Sequence, residues 1–244
     1  MSSVNSEKEE VEVASMGYRI SHQINLVLIT LLAITGSMLL FPGLMSWLSY
    51  AVGAPLAAFL GSPYSVSVGE ELARTSHRFL ADVWGVFLIV YAIYLLVFRR
   101  IHVFDALRKP LGDQIREARA LADHYILGKP LPDDVASSLE RHNVLVAYMT
   151  VVLVVGIVLL SASGVLMVYS TYLGLTEGSY RLLLLLHDLG FYLVLLFIFA
   201  HLFAVLHPSN RPLLVAMFSY GRIPLEWARR HMPRYLRHVK GGGS

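Results

Sequence analysis

Four long hydrophobic segments alternate with polar stretches along the chain. Each segment comes close to the roughly 20 apolar residues that an α-helix needs to cross a bilayer. The pattern therefore predicts an all-α protein, an integral membrane four-helix bundle. Its predicted spans cover residues 24–41, 79–98, 144–169 and 182–206.

The first polar stretches differ in character. Residues 1–16 are polar and acidic and are expected to form a flexible cytoplasmic tail, whereas the domain that carries the spans covers residues 17–208. The connection 44–76 contains one apolar piece, residues 51–60, which is short and rich in glycine and proline. Because proline disrupts a continuing helix, we expect this piece to be an interfacial helix or cap and not a span.

Two further helices are expected outside the bilayer. Apolar residues recur at helical spacing over residues 105–127, although Pro110 interrupts the start, which predicts a helix on the surface. Residues 209–240 are basic and aromatic and are expected to form a cytoplasmic tail helix. The last four residues, 241–244, have the sequence Gly-Gly-Gly-Ser and are expected to be an artificial linker.

Lysine and arginine are distributed unevenly around the predicted spans. Of the 20 such residues, 17 lie before the first span, between the second and third, or after the fourth. The other three, Arg74, Arg78 and Arg181, lie in or next to the two opposite connections. Because connections rich in these residues stay in the cytoplasm, both termini are predicted to be cytoplasmic. The protein is then a multi-pass protein of the inner (cytoplasmic) cell membrane.

The composition restricts the chemistry that the chain can perform. Of the 244 residues 56% are hydrophobic, the net charge is +3, and there is no cysteine. Without cysteine the chain cannot form a disulfide, a thiolate zinc site, a cysteine-ligated iron–sulfur cluster or a covalently attached c-type haem. Any redox metal must therefore be bound by histidine, methionine, tyrosine or carboxylate. No nucleic-acid partner is expected.

Four histidines lie inside the predicted spans or at their ends. His187 and His201 are 14 residues apart in the fourth span, which corresponds to about 21 Å and nearly four helical turns, so they lie on nearly the same face. The predicted orientation puts His22 and His201 near the inner face and His77 and His187 near the outer face. The four histidines therefore form two pairs that are matched in depth.

Paired imidazoles at one depth of a helix bundle suit the axial ligation of a haem. A non-covalent b-type haem also agrees with the absence of cysteine. The pattern therefore predicts two haem b groups, stacked across the bilayer, which would transfer electrons.

Small and basic residues lie near these histidines. Gly36 and Gly164 would let a flat macrocycle approach the backbone, but they would serve close helix packing equally well. Arg19 and Arg78 are candidates for pairing with haem propionates, and each is also compatible with an ordinary interfacial anchor.

Other interpretations of the histidines stay open at this point. A histidine at the end of a span needs no special purpose, and a metal transporter could use all four as ligands. Such a transporter would also need buried carboxylates, and only Asp82 lies well inside a span. A cofactor-free membrane anchor for a soluble enzyme would not need paired histidines. For the remaining histidines of the inner loop and the tail a solvated position is expected: His102, His124, His142, His207, His231 and His238.

With these histidines assigned, the chain resembles the cytochrome b, or gamma, subunit of respiratory formate dehydrogenases and related membrane-bound molybdenum oxidoreductases. The resemblance covers roughly residues 18–238. The matching features, in chain order, are Arg19-x-x-His22, Thr35-Gly36, His77, Ser163-Gly164, His187 followed by His201, and the segment Glu226-Trp227-Ala228-Arg229-Arg230-His231-x-Pro233-Arg234-Tyr235.

The resemblance implies four spans and two b-type haems. By carry-over, His77 and His187 ligate the outer haem iron, and His22 and His201 ligate the inner one. It also implies an iron–sulfur partner subunit at the outer face, a molybdopterin (or nickel–iron) catalytic subunit, and the membrane quinone as diffusible redox substrate. The chain itself would be an electron-transfer subunit, with the substrate chemistry on another subunit.

A quinone site is expected beside the inner haem, at Asn143 and His201. The family has asparagine followed by glycine and glutamine there, whereas Asn143 is followed by Val-Leu-Val. The family glycine four residues after His187 is also absent, and Gly190 stands one position earlier.

The direction of electron flow stays open. A cytochrome b subunit of a nickel–iron hydrogenase, or of a thiosulfate, polysulfide or tetrathionate reductase that draws electrons from quinol, is a close alternative.

Overall fold

The computed structural model describes residues 9–98 and 103–241. The chain divides into two compact units, one of residues 20–99 and one of residues 1–19 together with 100–244. The described residues are mainly helical, which confirms the all-α prediction, and they include one two-stranded sheet. The first eight residues of the predicted tail and residues 242–244 of the predicted linker lie outside the described residues.

Three helices account for residues 16–98: α1 (Met16–Leu40), α2 (Pro42–Leu60) and α3 (Ser65–Phe98). One residue, Phe41, separates α1 from α2, and Pro42 takes the first position of α2. Proline is favoured there because its missing N–H has no partner in a first helical turn and its φ suits a helix. The same proline therefore ends one helix and begins the next.

The helix α2 is longer than the sequence suggested. We expected a short apolar piece at residues 51–60, but the helix has 19 residues and contains Pro55 in its interior. It packs against the start of α3 with almost no space between the backbones. A Cβ atom on Gly53 would lie 2.1 Å from the carbonyl oxygen of Ser65, and one on Gly69 would lie 1.8 Å from that of Ser49.

The helix α3 has 34 residues and begins 14 residues before its predicted span. At about 1.5 Å per residue it is about 51 Å long, which exceeds the roughly 30 Å hydrocarbon core of a bilayer. Its first part carries charged residues, including Arg74 and Glu71, whose side chains form an ion pair at 2.8 Å.

Within its described residues the other unit contains seven further helices and two strands. They are α4 (Leu111–Leu127), α5 (Asp133–Ser138), α6 (Val144–Val168), α7 (Glu177–Leu206), α8 (Arg211–Phe218), α9 (Leu225–His231), α10 (Pro233–Gly241), β1 (Glu10–Glu12) and β2 (Arg222–Pro224). Two 3₁₀ turns, Asp105–Arg108 and Pro208–Asn210, precede α4 and α8. The helices α6 and α7 end within one residue of the predicted spans, and α7 starts five residues early.

The long helices α6 and α7 form a tightly packed hairpin. A Cβ atom on Gly190 would lie 2.9 Å from the carbonyl oxygen of Gly156 and 3.0 Å from the backbone nitrogen of Leu160. Small residues at such a crossing let two helix backbones approach closely. The glycine that stands one position earlier than in the family pattern is therefore part of this helix contact.

Five helices of the described chain are long and apolar enough to cross a membrane by length and composition: α1, α2, α3, α6 and α7. Four were predicted, and α2 is the additional one. Large apolar side chains lie exposed along these helices, for example Val86, Val158 and Phe199. Exposed apolar faces of this extent are typical of a surface that contacts lipid.

The N-terminal segment and the C-terminal tail form one sheet, which corrects two predictions. The strands β1 and β2 pair antiparallel with Val11 opposite Ile223, so the predicted flexible tail is wrong for residues 10–12. Residues 209–240 form three short helices and a strand and not one tail helix. The N-terminal segment and the tail share a small core, which includes Val13, Ala216, Ile223, Ala228, Met232 and Leu236.

The connection between α3 and α6 packs onto the same tail. The backbone nitrogen of Arg234 donates to the carbonyl oxygen of Leu139 at 3.3 Å, and its side chain pairs with Glu140 at 2.9 Å. The guanidinium of Arg141 donates to the carbonyl oxygen of Val13 in the N-terminal segment. These three polar segments therefore form a single body.

Candidate functional site

His77 lies on α3 with its imidazole against α1. Its Nδ1 atom lies 2.9 Å from Oγ1 of Thr35. A Cβ atom on Gly36 would lie 3.2 Å from Cε1 of His77, so only a glycine leaves the ring its full space at this point of α1. The hydroxyl and the glycine, which are adjacent in the sequence, together form a seat for the imidazole.

His187 lies on α7 in a seat of the same kind, formed by α6. Its Nδ1 atom lies 3.0 Å from Oγ of Ser163, and a Cβ atom on Gly164 would lie 3.3 Å from Cε1 of His187. The Ser163 side chain is only 2% exposed. In both helix pairs the hydroxyl residue stands five positions before the last residue of the first helix.

The two seats fit an imidazole that ligates a haem iron. Haem iron accepts a histidine nitrogen as axial ligand, and a ligating histidine almost always donates its other ring N–H to a hydrogen-bond acceptor. The oxygens of Thr35 and Ser163 are placed for this second contact, and Nε2 is then the nitrogen for the metal. The predicted roles of Gly36 and Gly164 in haem packing stay predictions, because each glycine contacts the histidine ring itself.

The two other predicted ligands are His22, near the start of α1, and His201, near the end of α7. His22 is half-buried on α1, one turn before Asn25, whose Oδ1 atom accepts a hydrogen bond from Nε1 of Trp84 at 2.9 Å. His201 is half-buried on α7 and stacks on Phe197, with 5.5 Å between the ring centroids and 14° between the planes. A flat aromatic neighbour restricts the rotation of the imidazole.

Each predicted haem pair takes one histidine from each unit, so the pairing of His22 with His201 and of His77 with His187 stays a prediction. Among the described residues, no group of three or more His, Cys, Asp or Glu side chains could hold a metal ion.

The two predicted propionate partners differ in their surroundings. Arg19 is half-buried, and its Nε atom has no hydrogen-bond partner among the described residues. This atom lies 3.3 Å from the position of a Cβ on Gly221. Arg78 is exposed on α3, next to His77, and Asp82 is exposed on the same helix. The role of both arginines at a haem stays a prediction.

Asn143, the predicted quinone-site residue, caps the N-terminus of α6. Its Oδ1 atom accepts from the backbone nitrogen of Val146 at 3.1 Å. Beside it Oε1 of Glu117 accepts from the backbone nitrogen of Val144 at 2.9 Å. Glu117 is 2% exposed and pairs with Lys109 at 2.6 Å. The start of α6 is therefore fixed by two side chains, and the quinone role of Asn143 stays a prediction.

Two of the histidines expected to be solvated, His207 after the end of α7 and His231 in α9, are half-buried and pack on aromatic rings. The imidazole of His231 stacks on Trp227 with 4.1 Å between centroids, and its Nδ1 lies 2.9 Å from the Trp227 carbonyl oxygen. Burial lowers the pKa of His231. The ring of His207 packs edge-on against Tyr125 at 4.9 Å. The spacing of four residues between Trp227 and His231 was the sequence signal for the first contact. His102 and the side chain of His238 lie outside the described residues.

Thr35 and Ser163 are the residues of this site whose role sequence reasoning missed. Their positions were noted only as parts of the Thr-Gly and Ser-Gly motifs. The signal was the repetition: a hydroxyl residue followed by glycine occurs near the end of α1 and again near the end of α6, the helices that contact His77 and His187.

Residues 13–220 match the family model of prokaryotic cytochrome b561, which covers all the histidines discussed above except His231 and His238. No curated protein matches the chain. The match implies a b-type haem and an electron-transfer role in a membrane.

Proposed function

The chain belongs to the prokaryotic cytochrome b561 family, and from this premise we propose that it is the membrane-anchoring, di-haem cytochrome b subunit of a multi-subunit oxidoreductase of the formate dehydrogenase type. It would transfer electrons between an iron–sulfur partner subunit at the outer face and the membrane quinone near the inner face. The observation that carries the proposal is the repeated seat, in which a hydroxyl and a glycine of one apolar helix hold a histidine of a second apolar helix.

The proposed topology has four crossings, with both termini in the cytoplasm. The N-terminal segment, the connection between α3 and α6, and the C-terminal tail pack into one polar body, so they must lie on one side of the membrane. An even number of crossings must then lie between one segment and the next. In the proposal α1 and α3 cross between the N-terminal segment and the connection, and α6 and α7 cross between the connection and the tail. The polar body carries most of the lysine and arginine, and such segments stay in the cytoplasm.

In this topology α2 does not cross the membrane. It packs beside Ser65 and Gly69, at the end of α3 that carries Glu70, Glu71 and Arg74. A span at that position would put these charges inside the hydrocarbon core, which is costly. The helix would therefore lie at the outer face, as the cap expected from the sequence.

Each proposed haem would be held by one histidine from each unit. His77 and His187 would ligate the outer iron, and His22 and His201 the inner one; a bound haem supplies the one-electron redox chemistry. The chain holds the imidazoles through Thr35 and Ser163 at the outer site and through the stack on Phe197 at the inner site. His187 and His201 are separated by about 21 Å along α7, so the two sites would lie near opposite faces of the membrane.

The quinone would bind near His201 and the capped start of α6 at Asn143. This position is on the cytoplasmic side of the proposed topology, so protons taken up by a reduced quinone would come from the cytoplasm. Arg19 and Arg78 would pair with haem propionates. The substrate chemistry would reside on a molybdopterin subunit, which the iron–sulfur subunit connects to the outer haem.

The test is the purification of the chain from membranes in detergent, together with the subunits that accompany it. We expect a dithionite-reducible b-type absorption with two haems per chain. His201→Ala should remove the inner haem and the reaction with quinone, whereas His124→Ala, which changes a histidine outside the spans, should keep both. A preparation without reducible haem, or two haems in His201→Ala, would contradict the proposal.

The accompanying subunits test the proposed complex. A molybdopterin protein with an iron–sulfur subunit that oxidises formate is expected. A nickel–iron protein, or a reductase of thiosulfate, polysulfide or tetrathionate, would assign the chain to one of the alternative complexes.

A further inference from the structure

We propose that Thr35 and Ser163 are matched positioning residues, which fix the protonated ring nitrogen of His77 and His187 and raise the electron-donating strength of both imidazoles toward the same haem iron. The inference rests on the proposed function, because it assigns these hydroxyls to the ligands of the outer haem.

The hydroxyl proton of each residue is already committed to its own helix. Oγ1 of Thr35 donates to the carbonyl oxygen of Leu31 at 2.8 Å, and Oγ of Ser163 donates to that of Leu159 at 2.5 Å. A hydroxyl has a single proton to donate but two lone pairs to accept with. Toward the histidine, each oxygen therefore acts as an acceptor.

An accepting hydroxyl determines which nitrogen of the imidazole carries the proton. Nδ1 is the atom that faces the oxygen in both seats, so Nδ1 is the N–H donor. In a neutral imidazole the other nitrogen then carries the lone pair, and Nε2 is the atom able to ligate a metal.

The glycine beside each hydroxyl makes this geometry possible. The nearest atom to a Cβ on Gly36 or Gly164 would be Cε1 of the histidine, at 3.2 Å and 3.3 Å, with Nδ1 next at 3.7 Å and 3.6 Å. The ring edge formed by Cε1 and Nδ1 therefore contacts the glycine-bearing helix, α1 for His77 and α6 for His187. A larger residue would push this edge away and lengthen the hydrogen bond.

Donation from Nδ1–H makes an imidazole a stronger electron donor at its other nitrogen. A stronger donor favours the ferric over the ferrous iron, so loss of the acceptor should raise the midpoint potential. Loss of such a second contact typically costs about 10–100-fold in metal-site affinity. A tenfold loss that falls on the ferric state alone corresponds to a rise of about 59 mV for one electron.

The experiment compares Thr35→Val and Ser163→Ala, which remove the hydroxyl, with Thr35→Ser and Ser163→Thr, which keep it. Thr30→Val and Thr150→Val are matched controls, because these hydroxyls also donate to a carbonyl four residues earlier, at 2.7 Å and 2.8 Å, on the same two helices. The measurements on the detergent-purified complex are haem content, the two midpoint potentials, and the ferric low-spin EPR signals.

We expect Thr35→Val and Ser163→Ala each to raise the midpoint potential of one and the same haem and to shift its EPR signal, or to lose that haem. The hydroxyl-keeping variants and both controls should retain the wild-type potentials. Wild-type haem content, potentials and EPR signals in both hydroxyl-free variants would overturn the inference while leaving the proposed function intact. A wild-type protein without haem would instead overturn the proposed function. Shifts on two different haems would overturn the claim that His77 and His187 ligate the same iron.

Discussion

The α1–α3 pair and the α6–α7 pair hold a histidine in the same way but hold their helices together differently. In the second pair the backbones approach so closely that a Cβ atom on Gly190 would lie 2.9 Å from the carbonyl oxygen of Gly156. In the first pair a polar contact joins the helices, from Nε1 of Trp84 to Oδ1 of Asn25 at 2.9 Å. The histidine seat is thus the shared feature, and the means of helix association is not.

This difference is what a lipid environment allows. Between helices in a bilayer there is little hydrophobic driving force, and association depends on close packing of small residues or on hydrogen bonds between helices. Either device can associate two helices. The same seat occurs in both helix pairs although the helices associate by different means. The seat is therefore needed to hold the histidine and is not a by-product of one kind of packing.

Removal of either seated histidine should have the largest effect. His77→Ala and His187→Ala should each remove the same, outer haem, because each takes one axial ligand from one iron. The measurement is haem content and redox titration of the detergent-purified complex. Loss of different haems in the two variants would mean that the two seats serve different sites.

Disruption of the α6–α7 crossing should have the next largest effect. Gly190→Ala places a methyl group against the backbone of Gly156 and Leu160, and overpacking of this kind costs about 1–3 kcal/mol. We expect a lower thermal midpoint for haem release in detergent. Gly85→Ala on α3 is the control, because no atom lies within 4 Å of a Cβ there; the gain in helix propensity should be about 0.5–1 kcal/mol. Equal midpoints for wild type and Gly190→Ala would show that the close approach is not needed.

The long helices could be predicted from the sequence because their signal is local. A run of apolar residues defines both ends of α6, which is capped by Asn143, and the end of α7 almost to the residue. The start of α7 after its cap Thr176 was predicted five residues late, because its first turn is polar. The starts of α1 and α3 were predicted late for the same reason. Their first turns are polar, and hydropathy detects the part of a helix inside lipid, not the whole helix.

The long-range contacts could not be predicted. The pairing of β1 with β2 joins residues about two hundred positions apart, and three residues of polar sequence carry no signal for their partner. The seat of His77 combines residues 42 positions apart, and that of His187 residues 24 apart. A single sequence indicates which residues are chemically capable, but the fold decides which hydroxyl faces which ring.

A smaller effect is expected at the polar contact between α1 and α3. Trp84→Phe removes the donor to Asn25, and hydrogen bonds between helices in a membrane contribute about 0.6 kcal/mol on average. A double-mutant cycle with Asn25→Leu should give a coupling of this size in detergent unfolding. Trp47→Phe on α2 is the control, because this side chain is largely exposed. A coupling of zero would show that the contact between Trp84 and Asn25 does not hold α1 and α3 together.

The smallest effect concerns the polar body, which belongs to the unit of α6 and α7. Burial against Trp227 lowers the pKa of His231, and the charges of His124 and Arg230 add to this, whereas the hydrogen bond to the Trp227 carbonyl opposes it. The unfolded tail therefore binds a proton more readily than the folded tail. Its stability is complete above the ordinary histidine pKa of about 6.5 and decreases as the pH falls through that value toward the lower pKa of the folded state.

Hydrogen exchange of α9, measured on either side of about pH 6.5 and corrected for intrinsic rates, should show weaker protection at the lower pH. His231→Phe keeps an aromatic ring on Trp227 but cannot titrate, so its protection should not change with pH. The backbone amides of α6 in the same sample serve as the internal reference, because that helix is held against α7 at Gly156 and Gly190. An equal pH response in wild type and His231→Phe would assign the effect to another group of the polar body.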